Sequence, residues 1–173
     1  MTDFHIHSNF STDAPQSSTP ESIIQKSIKL GLNTICFTDH HDEDYPSDER
    51  EFTFDTDEYF DTLENLQKKY CNQIDIRIGV EIGLQPFLRE HYRAYTHQYP
   101  FDFVIGSVHV VKGMDPYHGI MFEGRSDEEA YEETFRETIE NIKAIEDFDV
   151  LGHLDYVVRY GKEKAVHYSY SQF

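Results

Sequence analysis

Cysteine is scarce in this 173-residue chain: only Cys36 and Cys71 occur, with no paired spacing. No disulfide framework follows from two such residues, and a reducing cytoplasm suits them. Cys36 falls inside an expected strand, where a buried reduced thiol is the ordinary reading. Positive charge is also short, with 15 Lys and Arg against 33 Asp and Glu and a formal charge of −18. A field of that sign repels nucleic-acid phosphates and anionic membranes, which argues against both as partners. It attracts cations, including metals and amine-bearing substrates, although much of the acid reads equally well as a solvated surface. No run approaches the ~20 apolar residues of a membrane-spanning helix. The start, Met-Thr-Asp-Phe-His, lacks the basic and apolar regions of a secretory leader. Neither Gly-x-Gly-x-x-Gly nor a Walker loop occurs, which removes the usual nucleotide folds. The length suits one domain with a substantial core.

Histidine is plentiful, and its placement is informative. Five expected strands each end in a residue able to hold a metal: His5 and His7, His40, Glu81, His109 and His153. In Thr2-Asp3-Phe4-His5-Ile6-His7, a period of two puts Phe4 and Ile6 on one face and both histidines on the other. Two neighbouring imidazoles form a chelate for a divalent ion. A lone His-x-His could equally be a polar strand face, but four further strands ending the same way define a site.

Between these points strands and helices alternate. Thr19 caps a helix with Pro20 in its first turn and Gly31 at its end. Residues 33–38 form the second strand, leading into Asp39-His40-His41, and residues 42–58 form an acidic loop too polar for core. Tyr59, Leu63, Leu66 and Tyr70 make a helical stripe. Ile74, Ile76, Ile78 and Val80 alternate as a third strand, with Glu81 at its end on the opposite face. A helix lies between Pro86 and Pro100, then an apolar fourth strand over 101–111 whose polar members are Ser107 and His109. After a loop over 112–125 that holds His118, Ser126-Asp127-Glu128-Glu129 is a capping box. Its helix extends to about Asp147, with Tyr131, Phe135, Thr138, Ile142 and Ile145 on one face. Residues 149–154 form a fifth strand, and 168–173 read as the beginning of another element.

Alternating units of this kind imply parallel strands with right-handed crossovers, in a doubly wound sheet or a closed barrel. The ligand placement favours the barrel. An open sheet strings its strand ends out and gathers a site at one switch point, whereas closure brings all of them around one axis.

His5-Ile6-His7-Ser8, Ser11-Thr12-Asp13-Ala14, Thr38-Asp39-His40, Gly79-Val80-Glu81, Gly106-Ser107-Val108-His109 and Gly152-His153-Leu154-Asp155 occur in that order. Together they resemble the motifs of the polymerase and histidinol phosphatase (PHP) family of metal-dependent phosphoesterases. The surroundings of Asp13, the Gly-Ser-Val-His block, Asp115-Pro116-Tyr117-His118-Gly119 and Asp155-Tyr156-Val157-Val158-Arg159-Tyr160 resemble its histidinol-phosphatase branch. The resemblance covers the whole chain. It implies a distorted (β/α)7 barrel, a cluster of up to three divalent ions (manganese, iron or zinc), and hydrolysis of histidinol phosphate in histidine biosynthesis.

Residue by residue, the resemblance makes His5 and His7 ligands of a first ion, and Glu81 the bridge between first and second. His109 and His153 hold the second, and Asp13 and His40 the third. Asp13 stands where several relatives have His; both donors suit the same metals. Clustered divalent ions cancel the phosphate charge, activate hydroxide and align in-line attack, with no phosphoenzyme. Arg159, just past the fifth strand, reads as a bidentate phosphate clamp, or as a surface arginine in an acidic protein. His118 would protonate the leaving oxygen or touch the substrate's imidazole, or be a solvated loop residue. Glu43 and Asp44, if near the mouth, would favour a cationic substrate. His91, His97 and His167 receive no role, and the side chain of His41, directly after a ligand, is expected to point elsewhere.

The family's last motif, a Gly-Ser-Asp-Ala-His type of segment, does not occur, and a closed barrel takes ~250 residues. The expectation is therefore one PHP domain over 1–173, truncated at its C-terminus, with about five strands and exposed sheet edges. The alternatives to a histidinol phosphatase are another PHP phosphoesterase, acting on a small nucleotide or phosphotyrosine, and an inactive metal-binding fragment.

Overall fold

The computed structural model describes residues 1–47 and 51–162. Among these residues six strands form: β1 (Thr2–Ile6), β2 (Thr34–Phe37), β3 (His40–His41), β4 (Asp75–Gly83), β5 (Phe103–Ser107) and β6 (Val150–Leu151). Four α-helices accompany them among the described residues: α1 (Pro20–Lys29), α2 (Thr56–Tyr70), α3 (Arg89–Gln98) and α4 (Asp127–Ala144). All the strand pairs are parallel, in the order β1-β2-β4-β5-β6, with β3 also on β4. Phe37 pairs with Ile78 and His40 with Glu81, so β3 continues β2 in the same register after a two-residue gap. Five strands in effect make a curled half-barrel. The curl is visible where Phe4 of β1 meets Phe103 of β5 edge-on at 5.3 Å. β1 and β6 are its two edges among the described residues.

The helices form where the capping chemistry directs them. The Thr19 side chain accepts from Ser22 N, and that of Asp55 from Glu58 N, each worth about 1 kcal/mol. Ser126 and Glu129 complete both bonds of the capping box at α4. The even-numbered apolar residues of β4 face the helices. Ile76 and Ile78 join Ile24, Phe37, Tyr59 and Leu63 in one buried cluster; Val80 and Ile82 join Leu84, Tyr92, Tyr131 and Phe135 in another. The odd-numbered face is thereby left for Glu81.

Several expected boundaries move. Asp55 caps α2, so the last residues of the acidic stretch are its first turn. The fourth strand is shorter than expected, Phe103–Ser107, because the chain leaves the sheet to bring His109 into the cleft. The fifth shrinks to Val150–Leu151, with His153 just past it. α4 ends at Ala144, and Ile142 is exposed while Thr138 and Asn141 are buried. A register shift between Asp3 and Ile6 splits the Phe4/Ile6 pair: Phe4 meets Phe103, and Ile6 lies against the Ile24–Phe37 cluster. The expected element at 168–173, and His167, lie outside the described residues.

Candidate metal centre

Glu81 is fully buried, and five imidazoles surround its carboxylate. Oε2 lies 3.0 Å from His5 Nε2, 3.3 Å from His7 Nε2 and 3.3 Å from His40 Nδ1. Oε1 lies 3.0 Å from His153 Nε2 and 3.4 Å from His109 Nε2, and accepts from Ser107 Oγ at 2.5 Å. Strand ends that are far apart in sequence supply these groups, as a curled parallel sheet requires. Close approach of backbone helps. A Cβ on Gly152 would sit 2.1 Å from Ser107 Oγ, and one on Gly83 would sit 2.5 Å from Asp42 Oδ1.

The charges are strongly coupled. Burial would push the Glu81 carboxyl up, but hydrogen bonds with His109, His153 and His5 hold it well below its usual range. Burial opposes charge on His109, yet Asp42 and Glu81 together keep its pKa well above the ordinary imidazole value. The bond to Glu81 raises His5, whereas burial and then the neighbouring His40 lower His7 to about 4.

A metal cluster fits this arrangement. Six partners crowd one carboxylate, which has about four lone-pair sites. The imidazoles cannot all donate to it, and cations held this close repel one another, so nitrogen lone pairs converge on Glu81. His5, His7 and Glu81 form one set of donors within 4.8 Å, and Glu81, His109 and His153 another. Imidazole and carboxylate together suit zinc, iron or manganese. Asp13 Oδ2, on a half-exposed side chain, stands 3.9 Å from His40 Nε2.

The residues given metal, phosphate or proton-transfer roles from the sequence meet at one cleft of about 950 Å³, with buried Glu81 against the imidazoles that line it. His5, His7, Asp13, His40, His109, His118, His153 and Arg159 all line it. Arg159 pairs with no carboxylate among the described residues; its guanidinium lies 5.8 Å from the centre of the Tyr156 ring. That ring in turn is 5.3 Å from both His109 and His153. Glu43 and Asp44 do not line the cleft: the Glu43 carboxylate turns to His41 and His91, and Asp42 is the acid that reaches in.

The sequence reading gave no role to the residues that hold these groups in place, although most of them stand within its motifs. Asp42 Oδ2 lies 2.8 Å from His109 Nδ1. Asp39, wholly buried, accepts from Ser8 N (2.6 Å), Ser8 Oγ (2.9 Å), Ser11 N (3.1 Å) and Ser11 Oγ (2.7 Å). Ser11 Oγ also receives His40 N at 3.0 Å and lies 3.4 Å from His7 Nδ1. Buried Asp115 accepts from the hydroxyls of Tyr45 and Tyr156 across the cleft. Alternation from His40 would have pointed to Asp42; Asp115 before Pro116 reads locally as the cap of a turn, and its bonds to the tyrosines across the cleft leave no mark in the sequence.

The PHP domain family matches residues 3–172 of the chain. A histidinol-phosphatase of Lactococcus lactis subsp. lactis is 35% identical over 160 residues, covering 92% of this chain and 58% of that protein. A "probable histidinol-phosphatase" of Clostridium acetobutylicum is 34% identical, covering 91% and 58%. The crystal structure of histidinol phosphate phosphatase from L. lactis, complexed with zinc, L-histidinol and phosphate, superposes with a TM-score of 0.90 at 32% identity, covering 99% of this chain and 64% of that one. The chain thus spans about 58% of the length of the curated relatives it matches.

Proposed function

The chain belongs to the PHP domain family, and from that membership we propose that the protein hydrolyses L-histidinol phosphate to L-histidinol and phosphate, with divalent metal ions at Glu81. The convergence of five imidazoles on one buried carboxylate supports this most directly. His5, His7 and Glu81 hold one ion; Glu81, His109 and His153 hold a second; Asp13 and His40 contribute to a third. Bound there, the ions neutralise a phosphomonoester's charge and lower the pKa of water.

The remaining roles fall to the chain's own side chains. Arg159, free of carboxylate partners among the described residues and held beside Tyr156, clamps the phosphoryl oxygens. His118 lies on the cleft wall, where it donates a proton to the leaving oxygen or contacts the imidazole of the substrate. Tyr45, Tyr117 and Tyr160 give that imidazole flat surfaces to lie against. No cysteine serves as nucleophile: neither Cys36 nor Cys71 lines the cleft, and burial pushes the Cys36 thiol up to about 12. A reducing cytoplasm suits both free thiols. No helix among the described residues is long and apolar enough to cross a membrane.

The test is phosphate release by the purified protein with manganese or zinc. L-Histidinol phosphate is compared with phosphotyrosine and a nucleoside monophosphate, and His109→Ala controls for contamination. Release that prefers histidinol phosphate and vanishes in the variant is expected. Preference for another ester, or release that survives His109→Ala, overturns the proposal.

A further inference from the structure

The chain through β3 alternates. His40 and Asp42 face the cleft, whereas His41 and Glu43 turn the other way, toward α3. There they meet His91. Glu43 Oε2 lies 3.9 Å from His41 Nε2 and 3.7 Å from His91 Nε2, and the three donor atoms all fall within 4.8 Å of one another. We propose that His41, Glu43 and His91 form a second metal site, separate from the Glu81 cluster, that takes a zinc-class ion on two imidazole nitrogens and one carboxylate oxygen, with water completing the shell.

Three features point to an ion rather than to a simple ion pair. First, the spacing is close: tetrahedral zinc with bonds of about 2.0–2.1 Å places neighbouring donors about 3.4 Å apart, and the carboxylate oxygen stands 3.7 and 3.9 Å from the two nitrogens. Second, the buried histidine has its other nitrogen accounted for. His41 Nδ1 is 3.3 Å from the Tyr95 hydroxyl, its ring stacks on that of Tyr95 at 4.2 Å, and the same hydroxyl meets Thr56 Oγ1 at 3.0 Å. With the Tyr95 hydroxyl donating to Thr56 Oγ1 and accepting from His41 Nδ1–H, Nε2 carries the outward lone pair and the ring is fixed, as second contacts do for metal-bound histidines. Third, the backbone carrying the carboxylate is pinned: Glu43 N donates to Tyr92 Oη at 3.1 Å, Tyr92 Oη donates to His41 O at 3.2 Å, and Gln85 Nε2 donates to Glu43 O at 3.3 Å. Glu43 and His91 are partly exposed, so an ion enters from solvent, and the negative field of the protein concentrates cations there. An ion held this way ties β3 to α3 on the side opposite the cleft.

The site stands apart from the phosphatase reading, and its test can fail independently. The full protein is stripped with chelator, re-equilibrated at buffered free Zn2+, and its zinc per chain counted for wild type, His91→Ala and Glu43→Gln. His91 is a half-exposed helical position where alanine favours the helix, so loss of folding is not the expected result. Both variants are expected to hold one zinc fewer than wild type, and the rise in Tm on adding zinc should shrink in each. An unchanged zinc count in His91→Ala overturns the inference. A protein inactive as a phosphatase that still loses one ion in His91→Ala supports it and counts against the functional reading alone.

Discussion

Asp42 Oδ2 stands 2.8 Å from His109 Nδ1, and both side chains are about 5% exposed. The bond fixes the imidazole so that Nε2 faces Glu81 and His153. Replacing Asp42 by Asn removes the charge that holds this orientation. The expected result is a ~10- to 100-fold loss of metal affinity or of phosphate release, with the fold kept. Zinc titration of Asp42→Asn measures it, and wild-type affinity would show that His109 is oriented by something else.

Arg159 tests the phosphate clamp. Charge-assisted bonds to a phosphoryl group are worth about 1.5–3 kcal/mol, so Arg159→Ala should lower kcat/KM by ~10- to 100-fold and weaken inhibition by inorganic phosphate in parallel. Lysine should restore only part of this, because it cannot present the two parallel donors of a guanidinium. Unchanged phosphate inhibition in Arg159→Ala would place the residue outside the site.

Asp39 makes a different prediction, about stability. Burial pushes its carboxyl up, and four donors from Ser8 and Ser11 answer that cost. An asparagine keeps one acceptor oxygen and sets an NH2 against donors. Asp39→Asn should therefore lose about 2–3 kcal/mol of unfolding free energy and loosen the loop that carries Asp13. Urea denaturation checks the first effect. A midpoint matching wild type would mean that solvent replaces those bonds.

The donors and the strands that bear them were legible because both follow short periods. The alternation of Ile74 to Val80 placed Glu81 on the free face, and the His-x-His marked a strand end. The same rule failed within β1, where an irregular register sends Phe4 and Ile6 to different partners; a bulge leaves no mark on the hydrophobic pattern. It also overran β5 and β6, since apolar residues such as Val108 and Val110 stay buried after the chain has left the sheet. The roles of Asp39, Asp42 and Asp115 were hidden for a further reason. Their partners lie 28 to 70 residues away, and within an acidic composition a buried aspartate looks like a solvated one.

Glu81 belongs to two donor sets at once, with His5 and His7 on one oxygen and His109 and His153 on the other. Loss of its charge should therefore act on both, while loss of any one histidine should act on its own set. Glu81→Gln keeps the size and can still accept from Ser107, but one of its two donor oxygens becomes an NH2 group that cannot ligate. It is expected to reduce zinc bound in the cleft by two ions, against one for His5→Ala or His153→Ala. The comparison is made by counting zinc in the three variants at the same free metal concentration, with circular dichroism confirming that each folds. Equal losses in Glu81→Gln and His153→Ala would mean that the carboxylate serves one ion only, and the bridging role would fall.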